Sequence, residues 1–290
     1  MKPASFEYLA PTSLEEALAL LAANPEAKLI AGGQSFVPVM NFRLASPPLL
    51  IDLNRIPSLA YIRSDDEGLH IGAMTRNRAI ETSPAVRGAN PLLSEAMPWI
   101  AHVAIRNRGT IGGSLANADP AAELPAITTV CDAEFTLARR GGTRTVKAGG
   151  FFQGLFSTAL APDEILTGVR FPAWPANRRH GFIEVSRRHG DFAIVGAAVT
   201  VDLDPNGRVT AARIAVFGAA DTPVLVSEAA AALIGKSTIE SAREAGRIAR
   251  ARITPRSDHQ ASSEYRAELI ETLVRRALEQ ALGHADRKAA

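Results

Sequence analysis

The residue pattern predicts an α+β fold. Three observations carry it: strand-like and helix-like segments alternate up to about residue 172, three longer alternating apolar segments follow between 181 and 217, and the remaining stretch has helical spacing throughout. A chain of 290 residues with 47% hydrophobic content has room for more than one buried core.

Thr12 and Ser13 stand before Leu14-Glu15-Glu16-Ala17-Leu18, a capping-box pattern with apolar residues at 14, 17, 18 and 21 that predicts a helix over 13–23. Residues 28–31 read as a short buried strand and 49–53 as another, which makes a small α/β opening. The acidic turn Asp65-Asp66-Glu67-Gly68 lies between strand segments at 59–63 and 69–73 and predicts a hairpin. A helix is expected over 91–99. Asp119-Pro120 then reads as an N-cap with proline at the first helical position, opening a helix to residue 130.

Strands over 134–138, 143–147 and 164–171 lead to Pro172, Pro175 and a polar run ending at Arg179, which reads as a linker. The domain boundary is placed there, with 1–175 (subdomains 1–56 and 57–175) before it and 176–290 after it. Segments 181–185, 193–203 and, past the turn Pro205-Asn206-Gly207, 208–217 predict a three-stranded antiparallel sheet. Helices follow over 227–233 with Gly235 as the stop, 239–252, and 263–282 ahead of Gly283. In the last, Leu269, Leu273, Val274, Ala277, Leu278 and Ala281 form one apolar face.

Composition excludes several classes. With 32 basic against 30 acidic residues there is no electrostatic case for nucleic acid or an anionic membrane. No run approaches the ~18 apolar residues that cross a bilayer, and the start lacks the basic and apolar regions of a secretion signal, so the expected location is cytoplasmic. Cys131 is the single cysteine, which rules out an intrachain disulfide and a cysteine-held iron-sulfur cluster, and its apolar flank predicts a buried packing residue. The six histidines have no paired helical spacing, so no metal site is expected.

The chemistry is concentrated in two stretches, Ala31-Gly32-Gly33-Gln34-Ser35 and Thr110-Ile111-Gly112-Gly113-Ser114. Paired glycines permit positive φ and close backbone approach, so bare amides can converge on phosphate oxygens, and the flanking hydroxyls add donors. Adjacent pairs so far apart do not fit the G-x-G-x-x-G fingerprint, which points to another nucleotide fold. Arg106 and Arg108 flank the second stretch and could face a diphosphate or a partner protein.

These stretches, with the continuation Arg106-Asn107-Arg108-Gly109 before the second and Leu115-Ala116-Asn117-Ala118-Asp119-Pro120-Ala121-Ala122-Glu123-Leu124-Pro125 after it, resemble the FAD-binding medium subunit of molybdenum hydroxylases, the family of carbon monoxide dehydrogenase and the xanthine dehydrogenases. The resemblance covers essentially the whole chain and includes Glu184-Val185-Ser186-Arg187-Arg188-His189-Gly190-Asp191-Phe192-Ala193. It implies a vanillyl-alcohol-oxidase (PCMH) type FAD-binding domain of two α/β subdomains, followed by a domain with a three-stranded antiparallel sheet and a helical bundle.

By the same resemblance FAD is bound noncovalently, by Leu29, Ile30, Ala31, Gly32, Gly33, Gln34, Ser35 and Phe36, by Thr110, Ile111, Gly112, Gly113 and Ser114, and beside Ile100, Ala101, Glu123 and Leu166. Glu123 stands where the family often has aspartate. Asp191 and Phe192 are implied to lie on the flavin side, and no protein residue is assigned a catalytic role, since the flavin carries the chemistry. The implied partners are a large molybdenum-cofactor subunit and a small subunit with two two-iron two-sulfur clusters, assembled as a dimer of heterotrimers, with electrons leaving to NAD or another acceptor. Two alternatives stay open: a self-contained flavin oxidase or dehydrogenase of this fold, and a noncatalytic nucleotide-binding assembly module.

Overall fold

The structure is a computed structural model and describes residues 1–284. It begins with β1 (Glu7–Leu9), α1 (Leu14–Ala23), β2 (Lys28–Ile30), α2 (Phe36–Asn41) and β3 (Leu49–Asp52). These strands form a small parallel sheet in the order β1-β3-β2. Ser13 caps α1 by accepting from the Glu16 amide, as its sequence predicts, and Ala17, Leu18 and Leu21 are buried beneath it. The strand expected to be buried over 28–31 is not: Lys28 is exposed, and Leu29 and Ile30 are half-buried, because this strand borders a cleft.

The hairpin β4 (Ile62–Asp65) and β5 (Gly68–Gly72) follows, then α3 (Asn77–Thr82), α4 (Pro84–Ala89), α5 (Pro91–Ala96), α6 (Val103–Arg106), α7 (Ile111–Asn117) and α8 (Glu123–Val130). Strands β6 (Glu134–Arg139), β7 (Gly142–Lys147), the short pair β8 (Phe152–Gly154) and β9 (Ser157–Thr158), and β10 (Ile165–Pro172) complete this part. A five-stranded antiparallel sheet runs β4-β5-β10-β6-β7. Its core joins Leu69, Ile71, Phe135, Leu137 and Phe171 to the buried residues of α5 and α8. Cys131 lies in that core, and burial pushes its thiol up to about 11.

Two sequence expectations change here, and one unassigned segment proves helical. The second glycine stretch is the first turn of α7, with Thr110 as its N-cap, and no loop. Asp119 does not cap α8, which starts at Glu123 behind Ala122; its carboxylate instead accepts from the Ala121 amide at 2.9 Å and closes a turn before the helix. The segment after the first glycine pair is helical despite Pro38, because proline in the first turn removes an amide that has no intrahelical partner.

Strands β11 (Arg178–Val185), β12 (Val195–Leu203) and β13 (Val209–Phe217) form the expected antiparallel meander, and the two-residue β14 (Val224–Leu225) adds a short edge. Helices α9 (Ser227–Ala231), α10 (Ile239–Arg252) and α11 (Ser263–Ala281) cover one face of this sheet. The other face packs on the N-terminal core through Phe182, Ala198, Ala215 and Phe217. Alternation along β11 decides which side chain goes where: Ile183 and Val185 turn to the helices, while His180, Phe182 and Glu184 turn to the cleft-bearing part. No helix among the described residues is long and apolar enough to cross a membrane.

Candidate functional site

A cleft of ≈ 490 Å³ runs between the parallel sheet, the N-terminus of α7, the turn before α8, β10 and the loop after β11. Its volume is in the range of small-molecule and cofactor sites. The structure brings nearly all the sequence-predicted residues to its wall: Leu29 to Phe36, Ile100, Ala101, Thr110, Gly112, Gly113, Ser114, Glu123 and Leu166, with Asp191 and Phe192. Ile111 is the exception. Its side chain is fully buried in the core and its amide donates to the Thr75 carbonyl at 3.2 Å.

The two glycine pairs touch. A Cβ on Gly32 would sit 2.7 Å from the Gly109 Cα, and one on Gly113 would sit 3.3 Å from the Ala31 Cβ. Contact at this distance requires the missing side chains, and Gly33 in addition has φ +71°, a conformation that other residues adopt at a cost of ~1–2 kcal/mol.

The pairs differ in what they offer a ligand. Among the described residues, the amides of Gly32, Gly33, Gln34, Ser35 and Phe36 donate to no atom of the chain. At the other stretch the Ile111 amide is held by Thr75, the Gly112 amide donates to the Ala73 carbonyl at 2.8 Å, and the Gly113 amide donates to Thr110 Oγ1 at 3.1 Å. Positive φ plays no part at Gly112 and Gly113, which are helical. The second stretch therefore contributes hydroxyl residues, Thr110 and Ser114, to the wall, where the first contributes a run of free amides. Together they form a cradle for a group rich in anionic oxygens.

Arg106 plays neither of the roles considered from sequence. It is buried, pairs with Glu81 through Nε at 2.8 Å, and donates from Nη1 to the Ile100 and Ala101 carbonyls, both at 2.8 Å. Ala101 has φ +47°, so this guanidinium holds a left-handed turn at the cleft wall. Gly190 packs against the same turn, where a Cβ would meet the His102 ring at 2.8 Å. That contact brings Asp191 and Phe192 to the cleft mouth, with Phe192 53% exposed.

Two lining groups, Asn77 and Glu164, were not legible in the sequence. Asn77 is 3% exposed, and its buried Oδ1 has no hydrogen-bond partner among the described residues. Glu164 borders the cleft but is engaged: Arg144 donates to both of its oxygens and holds its carboxyl below the usual range. Glu123 is 5% exposed, and burial, reinforced by the Asp119 charge against the opposing pull of Arg106, pushes it up to about 7. The same burial raises Asp119. Among the described residues no group of histidine, cysteine and acidic side chains is placed to hold a metal ion.

Comparison with known proteins agrees with this geometry. The family described as the FAD binding domain in molybdopterin dehydrogenase matches residues 4–174, and the CO dehydrogenase flavoprotein C-terminal domain matches residues 180–281. The chain is 45% identical to the 6-hydroxypseudooxynicotine dehydrogenase complex subunit alpha of Paenarthrobacter nicotinovorans, over 98% of this chain and 97% of that one. It is 39% identical to the carbon monoxide dehydrogenase medium chain of Hydrogenophaga pseudoflava, over 96% and 97%. In solved structures, carbon monoxide dehydrogenase from Hydrogenophaga pseudoflava superposes with a TM-score of 0.95 at 40% identity, covering 99% of this chain and all of that one. Quinoline 2-oxidoreductase from Pseudomonas putida 86 gives 0.94 at 37%, covering 98% and 99%.

Proposed function

Because the chain belongs to the FAD-binding medium subunits of molybdopterin dehydrogenases, we propose that its cleft holds FAD and that the protein relays electrons from a partner's iron-sulfur centre to a terminal acceptor. The observation that carries the reading is the run of five free amides facing the hydroxyls of Thr110 and Ser114. These residues fit the diphosphate of FAD as donors, and the buried Oδ1 of Asn77, unpartnered among the described residues, offers an acceptor for an N–H or O–H of the ligand in the same wall. When bound, the flavin supplies the ability to exchange electrons one or two at a time.

The chain's own residues bind and shield. Gly32 to Phe36, Thr110 and Ser114 take the diphosphate; Ile100 and Ala101, fixed by Arg106, with Leu29, Ile30 and Leu166, form the apolar wall for the ring. Phe192 at the mouth limits access to it. The partners are a large molybdenum-cofactor subunit and a small subunit with two two-iron two-sulfur clusters, in a cytoplasmic dimer of heterotrimers, with NAD or another carrier as acceptor. Assembly is supported by the exposed side chains of Phe42 and Leu44, 64% and 79% accessible, just after α2. Cofactor binding falls to 1–175 and the second sheet and its helices to 176–290.

Absorption bands of the purified chain after incubation with FAD test the reading. Bound flavin that is reduced only in the presence of the iron-sulfur partner supports it; reduction by an organic substrate added alone favours a self-contained oxidase or dehydrogenase. A well-folded chain that stays colourless refutes it. Phe192→Ala is expected to alter reoxidation rates severalfold with FAD content unchanged, and identical reoxidation would remove the proposed role of that ring.

A further inference from the structure

Glu184 is a buried acid that the cradle does not use. It is 5% exposed, and among the described residues neither of its carboxylate oxygens has a hydrogen-bond partner. Two independent features relate its position to the turn that leads to the cleft. It sits on the face of β11 that turns toward the N-terminal core, in register with Gly196, over which the Phe217 ring lies. One residue past Phe217, the Gly218 amide donates to the Pro120 carbonyl at 2.8 Å, which ties the turn carrying Asp119 and leading to Glu123 to this end of the sheet. Glu123 is itself buried and lines the cleft, and its charge acts on Glu184.

We infer that Glu123 in the cleft wall and Glu184 buried behind it form one proton-holding pair, which takes a proton from solvent when the cofactor of the proposed reading is reduced and returns it on reoxidation. The inference rests on that reading for its redox half and on the apoprotein alone for its proton-holding half. Two carboxylates that are both buried cannot both be charged without compensating partners. The surroundings provide little compensation. Arg106 acts on Glu123 from a distance while committed to Glu81, and Asp119 opposes it. From α5, Glu95 is already paired with His180 at 2.9 Å, and from α11 the neutral Gln280 accepts from the Phe182 amide. Across the sheet, Arg213 is taken by the Val130 and Thr129 carbonyls and Asp132.

Burial, with the Glu123 charge adding to it, pushes Glu184 up to about 9, and Glu123 lies at about 7, so at neutral pH the proton resides on Glu184 while Glu123 titrates next to the cleft. Adding electrons to a group in the cleft adds negative charge there. A carboxylate oxygen of Glu123 then forms an O–H bond with a proton drawn from water, while the electrons come from a chemical reductant or a partner's cluster. Glu184, already neutral, keeps the pair from becoming doubly charged.

The first experiment follows thermal unfolding of the apoprotein from pH 5 to 9 for the wild type and Glu184→Gln. The folded state binds more protons than the unfolded chain above the usual glutamate value, so wild-type stability falls as pH rises toward 9. The expected result is a melting-temperature advantage of Glu184→Gln that widens with pH; parallel curves would overturn the proton-holding pair. The second measures the midpoint potential of bound FAD against pH by dithionite titration with redox dyes. The wild type is expected to take up as much as one extra proton per electron pair near pH 7, and Glu123→Gln to lose it. Identical slopes would overturn the redox half, and so would a chain that never binds FAD, while the pH-stability curves still decide the pair.

Discussion

The two glycine pairs look alike in sequence and do opposite things. Gly32 and Gly33 belong to an open turn whose amides, with those of the next three residues, are free for a ligand. Gly112 and Gly113 are inside α7, and the amides of its first turn are consumed by Thr75, Ala73 and Thr110. On the proposed reading one pair is a binding surface; the other is a packing joint that lets the helix N-terminus approach Ala73 and Ala31. A glycine dipeptide thus reports that something must come close, but only the hydrogen-bond ledger says whether that something is ligand or backbone.

The largest expected effect breaks the packing joint. In Gly112→Val the new Cβ would lie 2.7 Å from the Ala73 carbonyl oxygen and 2.8 Å from its Cα, both backbone atoms that cannot rotate away. Stability should fall by about 3 kcal/mol, on the order of 6 °C in melting temperature, with or without FAD. A variant that melts like the wild type would mean that α7 does not rest on Ala73, the residue after β5.

Next comes the open turn. Gly33→Val loses ~1–2 kcal/mol to its left-handed backbone, but its neighbours are the movable side chains of Val37 and Ile30, at 3.1 and 3.4 Å. The fold should survive while the amide run is distorted; losing two amide bonds to a diphosphate weakens FAD binding by about 3 kcal/mol, roughly 100-fold. Fluorescence titration with FAD checks this. Loss of stability without loss of affinity would make the two pairs equivalent and erase the distinction drawn here.

How far the sequence carried the reading also depends on which pair is considered. Elements with local signals were legible: Thr238 and Ser241 form the capping box that opens α10, and that helix spans the expected 239–252. The clustered glycine and hydroxyl residues pointed to the two stretches themselves, whereas Ile100, Ala101, Glu123 and Leu166 in the cleft wall were implied only by the family resemblance. What escaped depends on distant partners. Asp119 has the local form of a cap, yet the chain turns once more before α8 because Gly218 binds the Pro120 carbonyl. Arg106 looks like a phosphate ligand until Glu81 and the carbonyls of Ile100 and Ala101 are seen around it. Glu184 carries no local sign of burial, since strand alternation alone does not tell which face of β11 meets a second core.

Thr110 joins the two roles, and its replacement should give an intermediate effect. The Oγ1 caps α7 by accepting from Gly113, and the residue itself lines the cleft. Thr110→Ala removes the cap, worth about 1 kcal/mol, and a ligand donor, so melting temperature should drop by roughly 2 °C and FAD affinity by about fivefold. Thr110→Ser keeps the hydroxyl and should restore both, and restoration of only one would separate the cap from the cradle.

The smallest effect isolates the ligand side of the second stretch. Ser114 follows the glycine pair, lines the cleft, and its hydroxyl makes no hydrogen bond within the described residues. Ser114→Ala therefore leaves no protein group unsatisfied, and serine and alanine differ little in a helix, so stability should change by no more than about 0.5 kcal/mol. FAD affinity, in contrast, should fall by roughly fivefold, the worth of one net hydrogen bond of about 1 kcal/mol. Because the fold is untouched, this change reads the hydroxyl contribution alone. If affinity stays constant while Gly33→Val abolishes it, the diphosphate is held by the first pair only, and the second serves solely to bring the chain within reach.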